Sequence, residues 1–204
     1  MTSDTLFALA LFALVASITP GPNNLMMMAS GANFGLRRTI PHMLGVGLGF
    51  IFMLLVVGAG LVNLFARYPL SYTIMKVVSA AYLVFLAWKI ATAAPLSETA
   101  KTGSPFSFLQ AAAFQWVNPK AWVMALSAIS IYSPDHRMSQ VVIVALVFGV
   151  VNVPCATTWV VSGQQLRRLL TNPSRLRGFN ILMAVLLVAS LVPVLMPDLL
   201  SANE

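Results

Sequence analysis

The chain has 204 residues, 59% of them hydrophobic and only 8% charged, with twelve Lys and Arg against five Asp and Glu for a net charge of +7. A soluble domain carries about a quarter of its residues as charges. This composition therefore excludes an ordinary water-soluble fold and describes a membrane protein, and the single cysteine, Cys155, excludes an internal disulfide or a dithiol redox pair.

Six apolar segments follow one another, near residues 6–30, 40–65, 71–94, 106–132, 138–163 and 179–196. A span takes roughly 20 apolar residues of helix. Six of them leave no length for a soluble domain, which needs at least about 50 residues. The runs are too long and too evenly apolar for barrel strands, and helices satisfy their own backbone groups in lipid. The expected fold is one all-α membrane domain over residues 1–204 with six transmembrane helices.

The first span is preceded by Asp4 rather than by a cation, and no small-residue cleavage site follows it. It reads as a retained span, not a signal peptide. Its interruption is Thr19-Pro20-Gly21-Pro22-Asn23-Asn24. Only about 13 apolar residues precede the break, roughly 20 Å of helix, which places it within the membrane. Pro20 and Pro22 lack an N–H, so the carbonyls of Ala16 and Ile18 lose their helical partners. Gly21 permits unusual dihedrals, and Asn23 or Asn24 can cap a second half-helix. Freed carbonyls accept from an ammonium, while helix N–H groups and the half-helix dipole hold a carboxylate. An α-amino acid carries both groups. A proline kink satisfied by neighbouring helices is the plainer reading; two prolines, a glycine and two asparagines in six residues favour a site.

The second span carries Gly45, Gly47, Gly49, Gly58 and Gly60. Gly45 and Gly49 form a G-x-x-x-G spacing, a packing signal that lets another helix come close. His42, near the start of this span, is the one group tuned to neutral pH that could enter the bundle. The fourth span holds Gln115-Trp116-Val117-Asn118-Pro119-Lys120-Ala121, where Pro119 frees the carbonyl of Gln115. Pro20 and Pro119 sit at matching distances into the first helix of each three-helix half, as two inverted repeats with broken first and fourth helices would show. Lys120 is the clear charge deep in a span, a placement costing about 2.5–3.5 kcal/mol. Either it snorkels to an interface, or it faces a wet cavity and meets a substrate carboxylate or freed carbonyls; beside a helix break the second reading is preferred. In the fifth span Asn152, Thr157 and Thr158 could line a cavity or bond between helices. Asp4, Glu98, Asp135, Asp198 and Glu204 all fall in loops or termini, as does His136, so no proton or sodium site built on Asp or Glu is indicated.

The first, third and fifth connections with their flanks hold Arg37, Arg38, Lys89, Lys101, Arg167, Arg168, Arg175 and Arg177; the second and fourth hold Arg67, Lys76 and Arg137. The positive-inside rule then puts the odd connections in the cytoplasm and both termini outside. The charge is that of cationic loops beside anionic lipid, not of a nucleic-acid binder, since no basic cluster is interleaved with aromatics in a soluble segment.

These residues together make the chain resemble the LysE/RhtB family of amino-acid exporters. The likeness lies in Thr19-Pro20-Gly21-Pro22-Asn23-Asn24, in Gly35 and Arg37, in the row Gly45 to Gly49, in Ala87-Trp88-Lys89 and in Asn118-Pro119-Lys120. It covers nearly the whole chain. It leans toward the cysteine/O-acetylserine exporter type through residues 45–55, 87–92 and 149–163. Many relatives carry an acidic residue just after the glycine row; Phe50 stands there, which suits a neutral substrate. The resemblance implies a bacterial inner-membrane efflux transporter for small neutral amino acids or derivatives, cysteine/O-acetylserine-like or threonine/homoserine-like. The expected binding set is Thr19, Pro20, Gly21, Pro22, Asn23 and Asn24 in one half and Asn118, Pro119 and Lys120 in the other. Neither catalytic residues, metal nor cofactor are expected. The partners expected are the amino acid, membrane lipid and, from small size and glycine content, a second copy in a homodimer. The alternative is a passive channel or a non-transporting scaffold; one cysteine and no paired carboxylates or clustered histidines argue against an enzyme.

Overall fold

The computed structural model describes residues 1–61, 67–92, 104–135, 137–170 and 172–192, apart from the side chains of residues 69, 71 and 72. Glu98, Lys101, His136, Asp198 and Glu204, and the far ends of the second, third and sixth expected spans, lie outside the described residues. Everything regular among the described residues is helical. The order is α1 (Ser3–Ile18), α2 (Pro22–Phe34), α3 (Leu36–Val56) running into a π turn (Val57–Leu61), α4 (Pro69–Ala91), α5 (Phe108–Phe114), a 3-10 turn (Gln115–Val117), α6 (Pro119–Tyr132), α7 (Met138–Arg167) and α8 (Pro173–Ala189).

Leu36–Leu61, Thr73–Ala91 and Met138–Arg167 are each long and apolar enough to cross a membrane. The pair α1 and α2 qualifies together, bent by 56° at the break. The first and fourth apolar segments are the divided ones, at Pro20-Gly21-Pro22 and at Asn118-Pro119, whereas the lone prolines Pro41 and Pro154 lie inside continuous helices. Boundaries differ from the sequence reading at two places where polar residues are helical. The first connection is the single residue Gly35, at φ +78° in the left-handed region that glycine tolerates. Arg37 and Arg38 already belong to the first turn of α3. Likewise α8 begins at Pro173, where the Asn172 side chain accepts from the N–H of Ser174, so Arg175 and Arg177 are helical and not loop residues. Lys76, assigned above to an outer flank, is buried in α4.

Helix α7 is the axis of the bundle. It packs against α1, α2, α3 and α6. Exchanging the two halves maps α1 onto α5, α2 onto α6, α3 onto α7 and α4 onto α8. Under that exchange the packing of α3 on α5 becomes that of α7 on α1, and the pairs α3 with α7 and α4 with α8 map onto themselves; all are observed. One relation is unequal. Helix α2 lies closely along α7, whereas its mate α6 meets α3 only lightly.

Glycines set the close approaches. A methyl on Gly31 would run into the backbone of Val160, and one on Gly163 into the carbonyl of Met28, so α2 and α7 meet backbone to backbone. Gly45 and Gly49 face the backbone of Phe108 and Ala112 in α5. The G-x-x-x-G face is thus consumed inside the chain and supplies no argument for a dimer. Apolar side chains such as Phe7, Leu11 and Val15 on α1 and Val150 and Val153 on α7 point outward, as a lipid-facing surface requires.

Overpacking a filled interface typically costs 1–3 kcal/mol. We expect Gly31→Val or Gly163→Val to lower the melting temperature in detergent micelles, by about 2 kcal/mol or more of stability. Gly178→Ala in α8, where an added methyl meets nothing within 4 Å, should instead be neutral or stabilising by up to about 1 kcal/mol. Equal melting temperatures for the three variants would contradict the backbone contact.

Candidate functional site

The break between α1 and α2 leaves the carbonyls of residues 17–20 without ordinary helical partners, and side chains replace them. Asn24 Nδ2 donates to Ser17 O at 2.7 Å and to Thr19 O at 2.8 Å. Trp159 Nε1 reaches across from α7 to Ile18 O at 3.1 Å. Lys120 Nζ donates to Thr19 O at 2.6 Å and to Pro20 O at 3.4 Å. The sequence reading had Asn23 or Asn24 capping the start of α2; the observed cap is Gly21, which has no side chain to bond with. Asn24 caps the end of α1 instead, because its amide supplies two donors where carbonyls are in excess. The Thr19 hydroxyl folds back onto Val15 O.

The second break answers the first. The 3-10 turn ends at Asn118, whose backbone is extended at φ −94°, ψ 107°, and its side chain caps α6 by accepting from the N–H of Lys120 at 3.1 Å. Gln115, fully buried, donates from Nε2 to Ala111 O at 2.8 Å. It also exchanges amide bonds with Asn23: Asn23 Nδ2 donates to Gln115 Oε1 at 2.8 Å, and Gln115 Nε2 to Asn23 Oδ1 at 3.3 Å. The two interrupted segments, about a hundred residues apart, are therefore joined directly by an amide pair and by a lysine on carbonyls.

A cavity of about 40 Å³ opens between them. It is lined by Ser17, Gly21, Asn23 and Asn24 from the first break, Val46 and Phe50 from α3, Gln115, Asn118 and Lys120 from the second, and Asn152 from α7, with Ala16, Ala121 and Met124 completing the wall. One wall is amide and backbone, the other apolar. Lys120 is its one charged lining residue among the described residues. Of the expected binding set, Gly21, Asn23, Asn24, Asn118 and Lys120 line the cavity. Thr19 and Pro20 contribute only backbone oxygens, and Pro22 and Pro119 are the first residues of α2 and α6. Gln115, Asn152, Ser17 and Phe50 were missing from that set. A glutamine beside a helix break, and an aromatic at the end of a glycine row, were the signals available for two of them.

His42 does not line the cavity. It is buried one turn of α3 before Val46, 5.4 Å from the Phe106 ring. Thr157 and Thr158 bond within α7, to Val153 O and Pro154 O, and among the described residues no bond from them to another helix is seen. Cys155 is buried packing in α7.

The family model described as "LysE type translocator" matches residues 14–192. The chain is 31% identical over 190 residues to the cysteine/O-acetylserine efflux proteins of Escherichia coli strain K12 and Shigella sonnei strain Ss046, covering 92% of this chain and 96% of each relative. No solved structure matches the chain. The chain belongs to the LysE family of translocators, a family of membrane transporters and not of enzymes.

Asn24 is the residue on which the break's hydrogen bonds converge. Stripping a buried group of its partner costs about 1–3 kcal/mol. Asn24→Ala is expected to lower thermal stability in micelles by that much. Asn24→Leu, which keeps the bulk and lacks both donors, should fall at least as far. Melting temperatures of both variants equal to that of the wild type would remove Asn24 from the capping role.

Proposed function

We propose that this LysE-family translocator exports small neutral amino acids or their derivatives, cysteine/O-acetylserine-like or threonine/homoserine-like, from the cytoplasm. It would sit in a bacterial inner membrane with both termini on the periplasmic side. The carrying observation is the cavity between the two helix breaks, where amides, freed carbonyls and one ammonium converge. The names of the relatives support the substrate class, and the presence of Arg37, Arg167 and Arg168 around one pocket supports a common side for the first and fifth connections.

The chemistry of the lining favours a zwitterion. The start of α2 directs N–H groups and the positive end of its dipole toward the break with no capping side chain in the way. Together with the Lys120 ammonium it favours a carboxylate. Asn23 and Gln115 hold each other in one orientation and present amide edges that fix the pose. A second cation in the substrate would meet Lys120 with no carboxylate among the described lining residues to offset it, and the neighbouring wall is the Phe50 ring. Neutral side chains fit this arrangement and basic ones do not. Alternating access would rock one three-helix half against the other around the cavity.

Transport into inside-out proteoliposomes under an imposed pH gradient tests the reading, with labelled L-cysteine, O-acetyl-L-serine, L-serine and L-lysine. The neutral substrates should accumulate above their external concentration and L-lysine should not. Simple equilibration would mark a channel. Asn23→Ala should slow uptake about tenfold or more, the loss of one well-placed hydrogen bond. Lys120→Met should slow it further. Folded variants that transport normally would show the site to lie elsewhere. Phe50→Glu is expected to narrow the preference for neutral substrates over L-lysine by about tenfold or more, read from competition between the two labels.

A further inference from the structure

We infer that the carbonyls of Thr19 and Pro20 form a primary-ammonium subsite, and that the Lys120 side chain is its tethered occupant, holding the place that the substrate's α-ammonium takes during transport. This deepens the proposed function and rests on it.

Three observations converge. The first is the completeness of the hydrogen bonding. Asn24 covers Ser17 O, Trp159 covers Ile18 O, and Asn24 and Lys120 share Thr19 O, while Lys120 alone among these side chains reaches Pro20 O. A lysine ammonium has three donors and no acceptor. Any replacement must also be a donor, because bare carbonyls in a low-dielectric site are costly. The α-ammonium of an amino acid has the same three donors and the same charge, so an exchange of one for the other leaves the desolvation cost nearly unchanged.

The second is space. The cavity of about 40 Å³ has room for about three waters, less than an amino acid requires. The lysine stem fills the missing volume. It lies so close over Gly21 that a methyl there would stand 2.5 Å from Lys120 Cδ and 3.1 Å from Nζ. Gly21 has φ −174°, an extended backbone open to any residue. Glycine is needed at this position for the lysine's passage, not for a dihedral angle.

The third is reach. Lys120 is on the first turn of α6, next to Asn118 and the amide pair, and its stem crosses from the second break to the first. A swing of the ammonium off the two carbonyls brings it toward the side of the cavity where a bound substrate carries its carboxylate. Displacement then converts a competitor into a partner. A ligand with an ammonium but no carboxylate would displace the lysine and give it nothing to bind. A ligand with a carboxylate but no free ammonium would leave it in place. Both halves of the zwitterion are needed, so the exchange selects α-amino acids over amines and over N-acylated acids.

The test uses the purified full chain in micelles, read by melting temperature. The probe is n-propylammonium chloride, with tetramethylammonium chloride as an equal charge lacking N–H donors. Lys120→Ala opens the subsite. It should be stabilised by n-propylammonium at a concentration at least tenfold below any needed with the wild type, and not by tetramethylammonium. Gly21→Ala, which crowds the lysine stem but keeps its charge, should show the same selectivity more weakly. If Lys120→Ala cannot be purified alone, recovery of folded protein on adding n-propylammonium during solubilisation counts as the same result, and failure of that rescue together with no selective shift in Gly21→Ala overturns the proposal. Equal responses of wild type and Lys120→Ala, or equal responses to the two ammonium salts, also overturn it. Failure of the broader reading is separable: selective n-propylammonium binding without amino-acid transport would leave the subsite standing and remove the exporter. Transport of L-serine with no selective ammonium binding would do the reverse.

Discussion

In a bilayer there is no water to complete a broken backbone, and this constraint shapes the protein. Two segments carry prolines where a helix would otherwise continue, and each proline withholds an N–H; at the second break the chain corrects the expected loss, since the tightened turn lets the Asn118 N–H take Gln115 O at 3.3 Å. The chain answers with side chains drawn from four elements. An asparagine from α2, a tryptophan from α7 and a lysine from α6 cover one break, while at the other Trp122 of α6 donates to Trp116 O, Gln115 of the 3-10 turn donates to Ala111 O, and Asn118 accepts from the Lys120 N–H. Because the donors come from distant parts of the sequence, satisfying the backbone and assembling the cavity are the same event. The polar site is a by-product of hydrogen-bond accounting before it is anything else.

That explains which parts were legible in the sequence. Membrane class, helical content and the two breaks follow from composition and from the missing N–H of proline, properties local to a few residues. The direct meeting of Thr19 and Lys120 was not local. Their separation is about a hundred residues, and the matching positions of the prolines only suggested a common depth. Hydropathy also misplaced the start of α3 and of α8, since arginines on the first turn of a helix look like loop to a scale that counts charge. The sequence offers Asn23 or Asn24 as the cap of the helix that contains them; with carbonyls in surplus behind it, the Asn24 amide turns backward instead. Phe50 and Asn152 reach the cavity from α3 and α7, long helices whose rotation about their axes is set by glycine contacts that a single sequence does not reveal.

The two halves are related but not equivalent in this structure. The packing of α3 with α5 has its counterpart in α7 with α1, yet α2 lies closely on α7 while α6 stands off α3. A rigid symmetric assembly would have no such difference. The difference falls between elements that bound the cavity, which is therefore walled more closely by one half than by the other.

The one-residue link at Gly35 has a mechanical meaning. A connection that short has no slack, and the Leu36 N–H beside it is fastened to Gln164 of α7 at 2.6 Å. Helices α2 and α3 are therefore keyed to each other like the arms of a crank, and the Gln164 bond is the catch between the halves that any rocking has to release. At the other end of α2 the unwound residues 19–21 are latched instead by Lys120, through the carbonyls of Thr19 and Pro20.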